Sequence, residues 1–453
     1  MIVTSDTITA PATPPGRGGI GIVRVSGSLA SSIAQTILKK TPKVQYANFC
    51  KFFSASGEVI DQGLAIYFRA PRSFTGEDIL ELHCHGGPVV MDLLLQRVLM
   101  LGARMAKPGE FMERAFLNRK IDLTQAEAVA DLIDATNAQA AQNAVRSLQG
   151  EFSRQISKLL TTLIQLRVPL EAAIDFPEDE ETEKLAIESL DSNVENVLLQ
   201  IKQLKNTAKQ GAILREGITV VIAGKPNAGK SSLFNYLSGQ EAAIVTAMPG
   251  TTRDVLHARI QIDGLPINLL DTAGLRDQPD MIEGEGIRRA WEEIKKADHV
   301  LLVVDAFTSL DRDLAKLGRD FFDAMPKHAH FTVLYNKIDL LDEEAKSIKA
   351  NDVDCVYLSV KTKAGLSLLK QRLKKSAGFY TVENGFSARR RHLDALDQTE
   401  KHLLNAQRVL LARAFELVAE DLVRAQHSLG EITGEFTADD LLGKIFSEFC
   451  LGK

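Results

Sequence analysis

Hydrophobic and polar positions change rhythm three times along the chain. Up to residue 118, short β-rich runs (Ile20–Val25, Leu64–Phe68, Ile79–His83) alternate with Gly/Pro punctuation such as Thr13-Pro14-Pro15-Gly16 and His85-Gly86-Gly87-Pro88. That texture predicts a compact α+β domain over 1–118. From Ile121 to about 210 the chain is rich in Ala, Gln, Leu and Glu with almost no Gly, predicting long helices and the first half of a helical domain over 119–215. The acidic Glu178-Asp179-Glu180-Glu181 after Pro177 reads as a solvated loop between two of them. At Gly217 the pattern turns again: Ile218–Ala223, Ile267–Leu270, Val300–Val304 and Phe331–Tyr335 alternate with helical segments, predicting a doubly wound α/β domain over 216–375. Beyond 385, Arg389–Leu429 reads as one long periodic segment. A last short helix starts near Thr437 and runs to the C-terminus, so a second helical half is expected over 376–453. The order implies an α/β domain inserted into a helical one.

Composition narrows the class. The 453 residues are about three times the length of a typical domain. With 45% hydrophobic and 25% charged residues the usage is ordinary and globular, which excludes a disordered or fibrous chain. A net charge of −5 argues against a surface coated in phosphate-binding bases. Its sign is uneven: residues 1–120 hold 14 Lys+Arg against 9 Asp+Glu, and the remainder 40 against 50. Four scattered cysteines make neither a disulfide framework nor zinc knuckles. The N-terminus lacks a secretory pattern, and no apolar run approaches the ~18 residues of a spanning helix. A soluble, cytoplasmic enzyme without a membrane partner is expected.

The chemistry concentrates after the first strand of the α/β region. Gly224-Lys225-Pro226-Asn227-Ala228-Gly229-Lys230-Ser231 matches the phosphate-loop pattern, with Ser232–Leu237 as the helix-forming run behind it. Such a loop cradles phosphates with backbone N–H groups, Lys230 reaches the β- and γ-phosphates, and the Ser231 hydroxyl binds Mg²⁺. Thr251-Thr252 follows a glycine, where Thr252 can complete the Mg²⁺ shell. Asp271-Thr272-Ala273-Gly274 ends a strand, with a carboxylate near the metal and a glycine N–H near the γ-phosphate. Asn336-Lys337-Ile338-Asp339 closes another. Asp339 can accept from guanine N1–H and its 2-amino group, a donor pair that adenine lacks. Ser359-Val360-Lys361 is the further base-contacting segment, with Val where Ala is usual. These elements resemble the GTPase superfamily. Leu275 stands where many small GTPases carry a water-orienting Gln, so another residue must do that work.

Together with segments outside the α/β region, they resemble the MnmE (TrmE) family of tRNA modification GTPases along essentially the whole chain. The segments are Ala12–Gly21, Arg24-Val25-Ser26-Gly27, Glu77-Asp78-Ile79-Leu80-Glu81, Cys84–Pro88, Pro108–Phe111, Arg114–Lys120 and Cys450-Leu451-Gly452-Lys453. The resemblance implies an N-terminal folate-binding and dimerisation domain, a helical domain and an inserted P-loop G domain. It further implies a homodimer that works with the flavoprotein MnmG to add an aminomethyl or carboxymethylaminomethyl group to carbon 5 of the wobble uridine of certain tRNAs. Hydrolysis of GTP would be potassium-dependent, without an arginine finger. Carried over residue by residue, Asn227 would coordinate K⁺, with carbonyls of Thr246, Met248 and Thr251 completing the cage. The surrounding Ala247, Pro249 and Gly250 would fold over the nucleotide with them. Glu283 would position the water; Glu285, two residues on, is the alternative. For Asn227 the ligand role is favoured over that of a merely loop-stabilising side chain.

The same resemblance places Arg24, Glu81, Lys120 and Lys453 against 5-formyltetrahydrofolate or a related tetrahydrofolate, the one-carbon donor. Strand alternation sets Glu81, His83 and His85 on one face, where a satisfied polar cluster is favoured over a metal site lacking a fourth ligand. Cys450 is either a reactive thiol assisting the uridine chemistry or a small core residue. The Arg389-Arg390-Arg391-His392 run reads as a solvated helix face in preference to a tRNA contact. Two competing classes remain: a ribosome-assembly regulatory GTPase, and a one-carbon transferase with a vestigial G domain.

Overall fold

The computed structural model describes residues 6–176, 178–240, 256–271, 295, 297–308, 329–341, 343–350, 353–380, 382, 385–436, 439–447, 449 and 452. By contacts the chain forms two compact units, Met1–Asp134 with Ala144–Ile201 and Asp394–Lys453, and Ala135–Asn143 with Lys202–Leu393.

The first unit opens with β1 (Ile8–Pro11), β2 (Gly18–Ser26), α1 (Ala30–Leu38), β3 (Asn48–Phe53), β4 (Val59–Phe68), β5 (Ile79–Gly86), α2 (Pro88–Met100), β6 (Arg104–Met105) and α3 (Glu110–Leu117). The strands form a six-stranded sheet in the order β3-β4-β5-β2-β1-β6, antiparallel except for β1 beside β6. Alternation decides its faces. Val23, Val25, Leu80, Leu82 and Ala65 bury against Ile33, Ile37, Leu94 and Val98 of α1 and α2. The residues between them therefore share the opposite face, where Arg24, Glu81 and Ile66 lie in register across three strands.

Helices follow: α4 (Leu123–Ile133), α5 (Ala138–Leu148), α6 (Glu151–Asp175) and α7 (Glu180–Glu216). Asp122 and Gln125 start α4 with a reciprocal capping box, which satisfies orphan N–H groups at its first turn. The acidic cluster is only half loop. Glu178 and Asp179 are exposed between helices, whereas Glu180 and Glu181 open α7, where the helix dipole favours acids.

The second unit holds β7 (Ile218–Gly224), α8 (Lys230–Gln240), β8 (Leu256–Ile262), β9 (Leu265–Asp271), β10 (His299–Asp305), β11 (His330–Asn336), a 3₁₀ turn (Ile338–Leu340), β12 (Lys346–Ala350), β13 (Val353–Tyr357) and α9 (Leu366–Ser376). The seven-stranded sheet runs β12-β13-β11-β10-β7-β9-β8. Its inner strands are parallel, and β8 and β12 are antiparallel edges. Apolar cores cover both faces, one including Leu233, Leu237, Leu369 and Leu373 and the other Val221, Val300, Leu302 and Val333. Burial on both sides explains the unbroken apolar runs of β7 and β10.

His299 is buried at the start of β10, with Nδ1 2.8 Å from Ser376 Oγ and Nε2 2.9 Å from Thr332 Oγ1. Burial, then the charges of His330 and Arg372, push its pKa down to about 3. The folded ring stays neutral while the unfolded one takes a proton near pH 6.5. Its stabilising contribution is thus complete above pH ~6.5 and falls as pH drops toward 3, by up to about 1.4 kcal/mol per unit. The protection of β10 and β11 amides in the full chain, expressed relative to the intrinsic exchange rate at each pH, should fall from pH 7.5 to pH 5, and less so in His299→Gln. Equal behaviour of the two chains would refute this account.

The chain closes with α10 (Arg390–Leu410), α11 (Phe415–Thr433) and α12 (Asp439–Ser447). Three expectations change here. The single segment Arg389–Leu429 is broken at 411–414, with Arg413 at φ 57 and no Gly or Pro to announce it. The reversal is held by tertiary contacts, since Asp421 of α11 meets Asn405 and His402 of α10. The last helix ends at Ser447, short of the C-terminus. In the basic run, Arg389 and His392 are buried, and the His392 ring accepts from Arg389 N–H at 3.0 Å. Only part of that run is a solvated face. Elsewhere α6 packs on α11, with Arg167 donating to Gln426 at 3.0 Å. Ile445, Phe446 and Phe449 at the end of the chain pack with Met112, Leu123 and Ala126.

Candidate functional site

The phosphate-loop segment joins β7 to α8, as its spacing requires. Gly229 has φ +101, and a Cβ there would stand 2.2 Å from Asn336 Nδ2, so only glycine fits. Asn227, at φ 62, is exposed. Lys230 is the first residue of α8, is nearly buried, and donates from Nζ to Lys225 O at 3.0 Å. Ser231 and Ser232 are exposed at the same helix start, and Ala228 is buried. Those helix N–H groups and the lysine make the loop electropositive.

Asn336 organises the neighbourhood. Its Nδ2 donates to Ala228 O at 2.9 Å and its Oδ1 accepts from Val360 N–H at 3.1 Å, tying the phosphate loop to the 358–361 segment. Lys337 adopts φ 69 and caps the 3₁₀ turn that carries Asp339. Asp339 Oδ1 is buried and, among the described residues, has no hydrogen-bond partner. Such an atom costs free energy unless a ligand meets it. It lines a cavity of about 610 Å³ with Gly229, Ser232, Asn336, Lys337, Ser359, Val360 and Lys361. Asp271 ends β9 fully buried and pairs in register with Ile222 of β7, the strand that leads into the phosphate loop.

Sequence reasoning missed Asn235 and Tyr236, which also line the cavity. They lie three and four residues after Ser232 on α8, so helical spacing was the available signal. It also missed Asp305, the last residue of β10. Thr246, Ala247, Met248, Pro249, Gly250, Thr251, Thr252, Thr272, Ala273, Gly274, Leu275, Glu283 and Glu285 lie outside the described residues.

A second constellation sits on the open face of the six-stranded sheet. Arg24 Nε and Nη2 approach Glu81 Oε1 at 2.9 and 2.8 Å, and Nη1 donates to Gly452 O at 3.2 Å. The guanidinium lies 5.8 Å from the ring centroids of both Phe74 and Phe111. Gly452 has φ +88, and a Cβ there would fall 2.1 Å from Pro11 O, so the tail can dock only through glycine. Lys120 instead donates to Pro71 O at 2.9 Å, at the start of the 70–78 loop. Cys450 and Lys453 lie outside the described residues.

That loop is tied down by the same motifs. Ser26 Oγ meets Thr75 Oγ1 and Glu77 Oε2, both at 2.7 Å, and Asn118 donates to Thr75 O at 2.8 Å. Tyr67 donates to Asp78 at 2.6 Å; burial and that carboxylate push its phenol up to about 12. Buried Arg114 holds Glu77, Glu110 and Asp6. Burial acts to raise the Glu110 carboxyl, but its bonds to Arg104, Lys107 N–H and Arg114 outweigh it and leave the pKa lowered.

The metal alternative for the histidine pair gains no support. His83 lies 3.3 Å from Glu81, whereas His85 pairs with Asp61 at 2.9 Å, and no metal-binding group of three such side chains occurs among the described residues. Cys84 of the same strand faces the core, and burial pushes its thiol up to about 11. Among the described residues no helix is long and apolar enough to cross a membrane.

Comparison with known proteins covers both constellations. The profile of the GTP-binding protein TrmE N-terminus matches residues 7–120, and that of the MnmE helical domain matches 123–450. The tRNA modification GTPase MnmE of Coxiella burnetii is 57% identical over 453 residues, covering 100% of this chain and 99% of the relative. That of Haemophilus influenzae is 53% identical over 451 residues, covering 99% and 100%. Among solved structures, the G domain of the T. maritima FeoB iron transporter aligns at 28% identity and TM-score 0.27, over 35% of this chain and 98% of its own. The FeoB G domain of Methanococcus jannaschii aligns at 25% identity and TM-score 0.26, over 36% and 98%. On full-length identity and both matching profiles, this chain belongs to the MnmE family of tRNA modification GTPases.

Proposed function

We propose that the chain is a potassium-dependent GTPase. With an MnmG-type flavoprotein and a tetrahydrofolate one-carbon donor, it modifies carbon 5 of the wobble uridine of certain tRNAs. The observation that carries the nucleotide part is the buried Asp339 Oδ1, without a partner among the described residues, in the cavity beside the phosphate loop. In this reading the domains are 1–118 (folate-binding and dimerising), 119–215 with 376–453 (helical) and 216–375 (G domain).

Lys230, released from the Lys225 carbonyl, would bind the β- and γ-phosphates, and Ser231 with Thr252 would hold Mg²⁺. Asn227 is exposed at the loop tip, open to coordinate K⁺ with the carbonyls of Thr246, Met248 and Thr251. The two ions would offset charge that develops during hydrolysis, the work an arginine does elsewhere. Glu283 would orient the attacking water in place of Leu275. On the open sheet face, Arg24, Glu81, Lys120 and Lys453 would bind the folate. The Arg24–Glu81 pair and the tail wall at Gly452 fit a ligand with both anionic and N–H edges. Cys450 would assist at the uridine. The homodimer, the flavoprotein and cytoplasmic placement belong to the same proposal.

One complementation experiment tests it. Nucleosides of tRNA from cells lacking the chain should show wobble uridine without the added group, restored by the wild type and not by Asn227→Ala. The purified wild type should hydrolyse GTP at least about tenfold faster in potassium than in sodium, a gain of order 1.4 kcal/mol in barrier. A normal wobble-uridine profile without the chain overturns the reading, and equal rates in the two salts overturn its potassium part.

A further inference from the structure

The end of β10 carries a carboxylate that none of the nucleotide motifs includes. Asp305 Oδ2 lies 2.7 Å from Lys337 Nζ, and its Oδ1 accepts from Phe307 N–H at 3.0 Å, so both oxygens are engaged. The side chains are 16% and 33% exposed, sheltered enough for the pair to survive screening better than a surface one. Burial acts to raise the Asp305 carboxyl, and Lys337 together with the Phe307 and Thr308 N–H groups outweighs it, leaving the pKa lowered.

Position gives this pair a consequence. β10 and β11 run parallel with Asp305 opposite Asn336, so the acid stands beside the residue that precedes Lys337. Lys337 holds a left-handed backbone at φ 69, which a side chain makes unfavourable by roughly 1 kcal/mol or more. That residue turns the chain from β11 into the 3₁₀ turn Ile338–Leu340, and the turn points Asp339 into the cavity. Lys337 itself lines the cavity.

We infer that Asp305 is a positioning residue for recognition of the guanine base. By holding the Lys337 ammonium, it stabilises the left-handed turn, keeps the lysine stem along the cavity wall, and so sets the angle at which Asp339 meets the base edge. The inference rests on the reading of this cavity as the GTP base site.

The test compares GTP with inosine triphosphate, which lacks the 2-amino group that Asp339 receives, on the full-length chain. Asp305→Asn should raise the dissociation constant for GTP about fivefold and that for inosine triphosphate less, narrowing the ratio between them. Hydrolysis should lose on KM rather than on kcat. A general loss of folding would lower the active fraction and leave the ratio where it was. Lys337→Met removes the other end of the pair, and the double variant should discriminate no worse than the weaker single one. An unchanged ratio in Asp305→Asn, or additive losses in the double variant, overturns the inference. If the wild type does not prefer GTP to inosine triphosphate and ATP, the base-site reading fails before any substitution is made, and the role of Asp305 falls with it.

Discussion

Replacing Asp339 with Asn should cut GTP affinity by a factor on the order of a thousand and make xanthosine triphosphate the preferred nucleotide. Asp339 Oδ1 is buried with no partner among the described residues, so in the free protein its acceptor capacity is held open. A site built to hydrogen-bond a donor pair rejects a ligand lacking it by several powers of ten, because the buried acceptor is left unpaired. Asparagine presents an N–H₂ where guanine also presents donors, and the two conflict. Xanthine carries an oxygen in place of the 2-amino group and restores the match. The free variant should be at least as thermally stable as the wild type, since the charge on a half-buried carboxylate with one oxygen unpartnered among the described residues has gone. Binding and stability thus move in opposite directions, which misfolding cannot imitate. Calorimetric titration of both nucleotides, with a thermal melt of the free proteins, checks it. Undiminished GTP binding by Asp339→Asn would place the base elsewhere.

The second large effect concerns the N-terminal sheet. Arg114 is 3% exposed and is shared by Asp6, Glu77 and Glu110, at 2.9, 3.2 and 3.1 Å. Arg114→Met keeps much of the volume but takes the cation from the sheltered Glu77 and one of two cations from buried Glu110, while Arg104 still holds Glu110 and Asp6. Breaking a buried pair from one side costs about 3–5 kcal/mol. Arg114→Lys restores the charge without the planar fork and should recover part of the loss. Glu77 lies in the 70–78 loop that carries Phe74, so Arg114→Met should also weaken binding of tetrahydrofolate at the proposed Arg24–Glu81 site. Denaturant unfolding of the full chain with and without the folate measures both. A stability loss under about 1 kcal/mol would mean that the network is not holding the loop. The pH dependence has a definite sign. The Glu110 carboxyl is lowered from 4.5, so its contribution is present above that value and is lost as pH falls through its folded pKa.

Much of this architecture was legible in the chain because it is written in short-range pattern. The apolar runs starting at Ile218, Ile267, Val300 and Phe331 became β7, β9, β10 and β11, each extended by one or more residues. The Gly-rich loop before Lys230 and the Asn-x-x-Asp at the end of β11 fell where their spacing requires, because a strand end and a helix start can be recognised from neighbours alone. Edge strands were not legible. β12, Lys346–Ala350, is almost wholly exposed and carries lysines, a composition that blunts an edge and reads as loop. β3 and β6 are likewise the two edges of the six-stranded sheet, and neither carries a continuous apolar run.

The sequence by itself determined three textures in their order, the phosphate loop, the guanine-type motif and the strand face that Glu81 shares with His83 and His85. Each of these depends on residues a few positions apart, where periodicities of 2 and 3.6 and the conformational limits of Gly and Pro operate directly. Only the tertiary structure decided that Arg24 meets Gly452 across 428 residues of chain, that Arg114 gathers three acids, and that α10 turns back at 411–414 without a breaker. It alone set Asp305 against Lys337. Such pairings are fixed by loop closure and by packing between distant segments, and they leave no period in the chain to be read.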